Sequence, residues 1–329
     1  MIEVSHGCAY SMDHTPFSYS PLVQEDILHL GQLCVYKDAA QTYRRFCSGN
    51  IDGSQIQRVV QYYSSEFGEI PDVELTGTPA EDTIDYTMVD GSMVLTDLGW
   101  KEVKVGRHFS NEAIVKTGMD DRREIVKSVY HAQMTDAATF IKNMDLLVSK
   151  VKSAKSKQIF ITDGALWIEQ WIKRSYPEAT LILDYYHAAG HLADGVKKLT
   201  DKPVEQQELI ADYTEQLLGG GVLNVIKSLE GKAEASGQAI EGTLQYLRNN
   251  AYRMKYDEYR KSGYLIGSGA IEAAHRTVIQ SRMKLSGQRW SIEGVDAMLK
   301  LRTRYESDNW EDVRKKVIEI NCKKQRLVA

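Results

Sequence analysis

Hydrophobic residues near the start of the chain recur at three- and four-residue spacing. Between Leu22 and Phe67 three such stretches stand out, around Val23–Leu30, Lys37–Phe46 and Ser54–Tyr63, and the spacing predicts helices. A Pro- and Gly-bearing segment, Glu69 to Glu81, follows and reads as a linker. The period then drops to two. Thr83–Asp90 alternates and ends at Asp90-Gly91-Ser92, a strand stopping in a turn; Trp100–Phe109 alternates likewise, and Arg123–Tyr130 reads as a third strand. Ala137–Val151 is an amphipathic helix. Gln158–Thr162 and Ala179–Asp184 are short apolar runs of the kind that a parallel strand covered on both faces requires, with helix over Ala165–Ser175 and again from Tyr185 onward. This order of elements predicts an α/β fold in which helices flank a mixed sheet.

Asp201 to Arg260 has helical period, broken at Gly219-Gly220-Gly221 and between Gly231 and Gly237, and reads as a helical insertion. The stretch from Gly263 to Trp290 then returns to the core. Gly267-Ser268-Gly269 leads in, Ser268 is the expected N-cap, and no helix breaker occurs before Gly287, so Glu272 lies about one turn inside a helix with His275 and Arg276 beside it. Trp290–Tyr305 and Trp310–Ile320 supply two more helices, and Lys323-Lys324-Gln325-Arg326 a frayed tail. The expected division is a helical N-terminal region over 1–68, a linker over 69–81, the first part of the core over 82–200, the insertion over 201–262, the glutamate helix and its successor over 263–306, and a C-terminal helix with a basic tail over 307–329.

Composition adds two constraints. With 329 residues, 43% hydrophobic and 26% charged, the chain suits a soluble protein of more than one packed unit. It has no apolar run near the roughly 18 residues of a membrane span and no leader pattern at its start, so the expectation is a cytoplasmic protein without a membrane partner. Cys8, Cys34, Cys47 and Cys322 are scattered and indicate neither a zinc site nor a disulfide framework. The net charge of −4 is unevenly spread: Arg248 to Ala329 carries 18 Lys+Arg against 10 Asp+Glu, a balance of +8, which leaves −12 for residues 1–247. That asymmetry fits a polyanion-binding region, or simply a basic helical bundle.

Three carboxylates stand out by position. Asp90 ends the first strand, Asp163 ends the first buried apolar strand, and Glu272 lies on the helix after the insertion. Taken singly, an Asp-Gly at a strand end is a turn signature and a glutamate four residues before Arg276 is a solvated pair. Brought together, three such charges would repel strongly unless cations resolved them. Hard oxygen donors suit two Mg²⁺ or Mn²⁺ ions roughly 3.5–4 Å apart, with Asp90 bridging and Asp163 and Glu272 each completing one site. Elsewhere, Ser48–Gly53 between two helices outlines a helix-turn-helix that would offer Ser54, Gln55, Gln57 and Arg58 to DNA; a plain helical hairpin fits the same residues. Arg276, Arg282, Lys284 and Arg289 would meet a phosphate backbone, and Trp290 would stack on a frayed base or belong to the core.

Val89-Asp90-Gly91-Ser92 with Gly99–Gly106, Thr162-Asp163-Gly164, Asp184-Tyr185-Tyr186-His187, and Gly267–Glu272 through Arg282, Gly287 and Trp290 occur in an order that resembles the DDE transposases of bacterial insertion sequences, specifically the ISKra-type group near the Mutator-like branch. The resemblance spans roughly Asp82 to Trp310. It implies a ribonuclease H-like core with an all-helical insertion between its last strand and the glutamate helix. It implies that Asp90, Asp163 and Glu272 are the metal-binding triad, which with two Mg²⁺ or Mn²⁺ ions nicks transposon ends and joins the freed 3′-hydroxyl to target DNA. The implied partner is double-stranded DNA, both terminal inverted repeats and target, engaged by a homodimer or larger assembly in the cytoplasm at the nucleoid. Asp184 and His187 resemble the C/D-x-x-H motif that shapes DNA contacts in related transposases; His187 also fits as a cap at a strand-to-helix corner. Two other functions share these residues: a DNA-binding relic without catalysis, and a structure-specific nuclease on the same core. One departure from the group lies at the N-terminus, where a cysteine-containing segment is expected and only Cys8 stands, so the chain is expected to begin inside a longer reading frame with its triad intact.

Overall fold

The computed structural model describes residues 15–47, 49–73, 83–118, 123–152 and 155–323. Cys8, most of the expected linker and the tail from Lys324 lie outside these residues. In chain order the elements are α1 (Pro21–Leu33), α2 (Tyr36–Cys47), α3 (Gly53–Ser64), β1 (Ile84–Thr96), β2 (Gly99–Ser110), β3 (Ile114–Lys116), β4 (Arg123–Ile125), β5 (Val129–Gln133), α4 (Ala137–Val151), β6 (Lys157–Thr162), α5 (Leu166–Ser175), β7 (Thr180–Leu183), α6 (Tyr185–Leu199), α7 (Pro203–Leu218), α8 (Val222–Ser236), α9 (Glu241–Asn250), α10 (Tyr256–Lys261), α11 (Gly269–Ala274), α12 (Ser281–Met283), α13 (Ile292–Glu306) and α14 (Trp310–Lys323). Among the described residues five strands form one mixed sheet in the order β5-β2-β1-β6-β7, and β3 pairs with β4 in a second, two-stranded one. Among the described residues no helix is long and apolar enough to cross a membrane.

The chain divides into two compact units, one drawn from Met1–Thr78, Gly91–Lys152 and Ala273–Ala329, the other from Pro79–Asp90 and Ser153–Glu272. In the first unit α3 begins at Gly53 because Asp52 and Gln55 form a reciprocal capping box. Its inward face, Ile56, Val59, Val60 and Tyr63, is fully buried, and the Ser64 hydroxyl reaches the Ala297 carbonyl of α13 at 3.2 Å. In the same unit β2 pairs antiparallel with β5, from Lys104↔Gln133 to His108↔Val129. Helix α4 lays Phe140, Met144, Leu147 and Val148 on that pair, so close at Gly106 that a Cβ there would collide with the Met144 sulfur.

The second unit holds the first half of β1 with β6 and β7, all parallel. Ile159, Phe160, Ile161, Ile182 and Leu183 are buried, which is why these runs read as continuously apolar. From β7 the chain passes through α6 to α10 before α11 brings Glu272 back.

Three boundaries differ from the sequence expectation. Strand β1 does not stop at Asp90-Gly91 but continues to Thr96. A side chain at Gly91 would place its Cβ 2.5 Å from the Glu102 carboxylate, so the glycine admits a neighbouring side chain instead of making a turn. The expected third strand is two, β4 and β5. The glutamate helix is α-helical only over Gly269–Ala274, then π-helical over His275–Gln280, before α12.

Candidate functional site

Asp163 and Asp184 directly follow the carboxyl ends of β6 and β7, and Asp90 lies within β1, two residues beyond its last pair with β6. Strand β1 pairs with β6 up to Met88↔Ile161, and Asp90 and Asp163 each lie two residues beyond that last pair. Strand β6 pairs with β7 up to Thr162↔Leu183, and one residue further it sets Asp163 beside Asp184. Asp163 and Asp184 thus stand at the carboxyl ends of neighbouring parallel strands, the place where open α/β sheets bind ligands.

The three are used differently. Asp184 is fully buried and caps α6, accepting from the backbone N–H groups of Tyr186 and His187 at 3.2 Å each. It also accepts from the backbone N–H of Ser268 at 2.9 Å and from the Ser268 hydroxyl at 2.7 Å. Four donors offset the cost of taking a carboxylate out of water. Such a group has neither exposure nor spare oxygen for DNA, which corrects the expectation that Asp184 contacts it. The Asp184 carboxylate is a bracket: it fastens the start of the Glu272 helix to the end of β7.

The fastening has a second point, since the Tyr185 N–H donates to the Ile266 carbonyl at 2.9 Å. Gly267 lies between the two, where a Cβ would sit 2.6 Å from the Tyr186 ring. Ser268 then offers its carbonyl to the N–H groups of Ile271 and Glu272, at 2.8 and 3.1 Å, and its Oγ lies 3.3 Å from Glu272 Oε1. The hydroxyl has one proton to donate, and its shorter approach is to Asp184. Glu272 is otherwise exposed.

Asp163 is half-buried. Its Oδ1 accepts from the Ala165 N–H at 2.9 Å, which turns the chain into α5, and its carbonyl accepts from the Tyr246 hydroxyl at 2.9 Å. Gly164 adopts φ +102°, and a Cβ there would meet both Leu183 and Tyr246 at 3.2 Å. His191 stacks on Tyr246, 3.8 Å between ring centroids; burial and then the neighbouring His187 hold its pKa below the ordinary imidazole value. Burial pushes the Tyr246 phenol up, and the Asp163 charge adds to it. His187 is half exposed, with Nε2 3.7 Å from Asp184 Oδ2.

Among the described residues no three His, Cys, Asp or Glu side chains gather as a group able to hold a metal ion. The donor types of Asp90, Asp163 and Glu272 suit a hard divalent cation, because all three are carboxylates. Glu272 is linked to the end of β7 through Ser268 and Asp184.

The basic residues expected at DNA belong to the first unit. Arg276 and Arg289 are exposed, and the Lys284 ammonium donates to the Ser92 hydroxyl at 2.7 Å. Arg282 is not a surface cation. It is 1% exposed, donates to the Gly31 carbonyl at 3.1 Å, and lies between the rings of Tyr36 and Trp290, 4.8 and 5.0 Å from their centroids. Trp290 is likewise buried, its Nε1 donating to the Met283 carbonyl at 3.2 Å. Both are core, which corrects the expected DNA contact of Arg282 and selects the core alternative for Trp290. Gln55 spends its amide oxygen on the Asp52 N–H at 3.2 Å as half of the capping box, whereas Arg58 is exposed.

Sequence reasoning missed Tyr246 and Tyr256, which carry no motif and lie in a helical stretch read only for its period. It saw Ser268 as a cap without its partner Asp184. A model of an uncharacterised protein family, UPF0236, matches residues 112–318, a span that includes Asp163, Asp184 and Glu272 but not Asp90. No curated protein matches the chain.

Proposed function

The chain belongs to the uncharacterised family UPF0236, and we propose that it is a DDE transposase with a ribonuclease H-like core, cutting DNA at transposon ends and transferring the freed 3′-hydroxyl to target DNA. The observation that carries the reading is the parallel pairing of β1 with β6 up to Met88↔Ile161, two residues before Asp90 in one strand and two before Asp163 in the other, with Glu272 linked to the end of β7 through Ser268 and Asp184. The long helical run between β7 and α11 supports it too, since the resemblance to these transposases implies an insertion at that point.

In this reading Asp90, Asp163 and Glu272 would hold two Mg²⁺ or Mn²⁺ ions. Bound there, the cations would supply Lewis-acid activation of the attacking oxygen and neutralise charge gathering at phosphorus. The chain's own residues do the positioning. Asp90 offers its carboxylate from the interior of a strand, and Asp163 from a turn pinned at Oδ1 and at its carbonyl. Ser268 orients Glu272, and Asp184 holds Ser268. Exposed Arg276, Lys284, Arg289 and Arg58 supply sequence-independent attraction for phosphates.

The test uses the purified chain, duplexes ending in the DNA that flanks its reading frame, and Mg²⁺ or Mn²⁺. Nicking and joined products are expected, reduced about 100-fold or more by Asp90→Asn, Asp163→Asn or Glu272→Gln. Joining that survives Asp163→Asn would sink the proposal. Binding without cleavage would identify a non-catalytic relic, and hydrolysis of branched DNA without joining a nuclease.

A further inference from the structure

The segment from α9 to α10 touches the ends of β6 and β7 at three points. The Tyr246 hydroxyl donates to the Asp163 carbonyl at 2.9 Å. Arg253 Nη1 lies 3.5 Å from the Thr162 hydroxyl. The Tyr256 hydroxyl donates to the Leu183 carbonyl at 3.1 Å. Each acceptor is the aspartate-bearing residue itself or the residue just before an aspartate.

Asp163 lies just past the end of β6 and Leu183 is the last residue of β7, where ladder partners run out and a buried carbonyl needs another donor. Tyr246 and Tyr256 supply such donors from outside the sheet. They are in turn held: Tyr246 stacks on His191 and its carbonyl accepts from the Asn250 side chain at 2.8 Å. Asn250 accepts from Arg253 Nε at 2.8 Å, and Arg253, 1% exposed, lies 3.3 Å from Glu169 at the start of α5. Tyr256 meets Tyr185 edge to face at 5.5 Å. The Asp163 turn is therefore gripped from both sides, at Oδ1 by Ala165 and at the carbonyl by Tyr246. Gly164 bears a conformation that leaves room for the Tyr246 ring.

We propose that this helical segment is a clamp on the candidate site, in which Tyr246 is the positioning residue for Asp163 and Tyr256 for the strand end that leads into Asp184. Its catalytic consequence rests on the transposase reading; the clamp itself does not. A carboxylate that must be placed to a fraction of an ångström gains from a fixed backbone. The insertion then sets the geometry of residues that it does not itself carry.

Tyr246→Phe and Tyr256→Phe, each removing one oxygen from the whole chain, test this. The Ala165 amide is the reporter, because its bond to Asp163 Oδ1 opens when the turn loosens. In Tyr246→Phe its hydrogen exchange is expected to speed up about tenfold, with the amides of Tyr86–Met88 unchanged. In strand transfer kcat is expected to fall about tenfold while KM for DNA ends stays put. Tyr256→Phe should accelerate exchange at Tyr186 and His187, whose amides bond Asp184, and leave Ala165 protected. Unchanged exchange at Ala165 in Tyr246→Phe, or acceleration equal at Tyr86–Met88, overturns the clamp. A fall in kcat/KM through KM alone overturns the positioning role. If the unsubstituted chain neither nicks nor joins DNA, the transposase reading fails while exchange at Ala165 still decides the clamp.

Discussion

The Ser268 hydroxyl stands 2.7 Å from a carboxylate oxygen of Asp184, a side chain with no exposed surface, and 3.3 Å from the Glu272 carboxylate. One hydroxyl thus links a buried acid that stabilises the fold to an exposed acid of the candidate site.

Ser268→Ala leaves Asp184 one donor short and Glu272 without its neighbour. The loss of a hydrogen bond to a buried charged acceptor is expected to cost about 2 kcal/mol, read as a lower urea midpoint at unchanged slope. Under the proposed function the same variant slows strand transfer. Ser268→Thr, which keeps the hydroxyl, should recover part of both.

Gly164 and Gly99 both have positive φ, +102° and +86°, yet of these two only Gly164 is crowded: a Cβ there meets Leu183 and Tyr246, whereas a Cβ at Gly99 would have open space around it to 4 Å. Gly99→Ala is expected to cost about 1 kcal/mol for the backbone alone. Gly164→Ala should cost roughly 2–3 kcal/mol, with the excess due to displaced neighbours. Thermal unfolding of the two variants side by side measures the difference.

His131 is fully enclosed and stacks on Phe140 at 5.3 Å. Burial lowers its pKa from 6.5 to about 4. Between those values the unfolded chain binds a proton that the folded one refuses, so stability from this residue is present above pH 6.5 and drains away as pH falls toward 4. Urea unfolding at pH 7 and 4.5 should show a loss of about 2 kcal/mol that His131→Leu removes.

Arg282 and Arg289 look alike in the sequence and should behave oppositely. Arg282→Lys gives up the planar group held between Tyr36 and Trp290 and the bond to Gly31, at an expected cost of about 2 kcal/mol. Arg289→Ala and Arg276→Ala, at exposed positions, should stay within about 0.5 kcal/mol. Under the proposed function they instead weaken DNA binding and flatten its salt dependence.

What the sequence disclosed depended on how local the signal was. The apolar runs ending at Asp163 and Leu183 are short-range patterns, and both are buried parallel strands. The alternation before Asp90 was also legible, but Asp90-Gly91 carries the same letters as a turn, and only the Glu102 side chain beside Gly91 distinguishes a close approach from a chain reversal. The burial of Arg282 depends on Tyr36, far away in the chain, and the grip on Asp163 depends on Tyr246 from a helix with no motif. Such pairings are products of packing, and periodicity does not encode them.

Strand β1 runs six residues past Asp90, to Thr96. That acid is therefore mounted on a stiff rail, unlike one on a loop that must be stilled on each encounter. Whatever binds there meets a group whose freedom was surrendered when the chain folded. Preference among ligands at Asp90 should then owe little to ordering of its backbone.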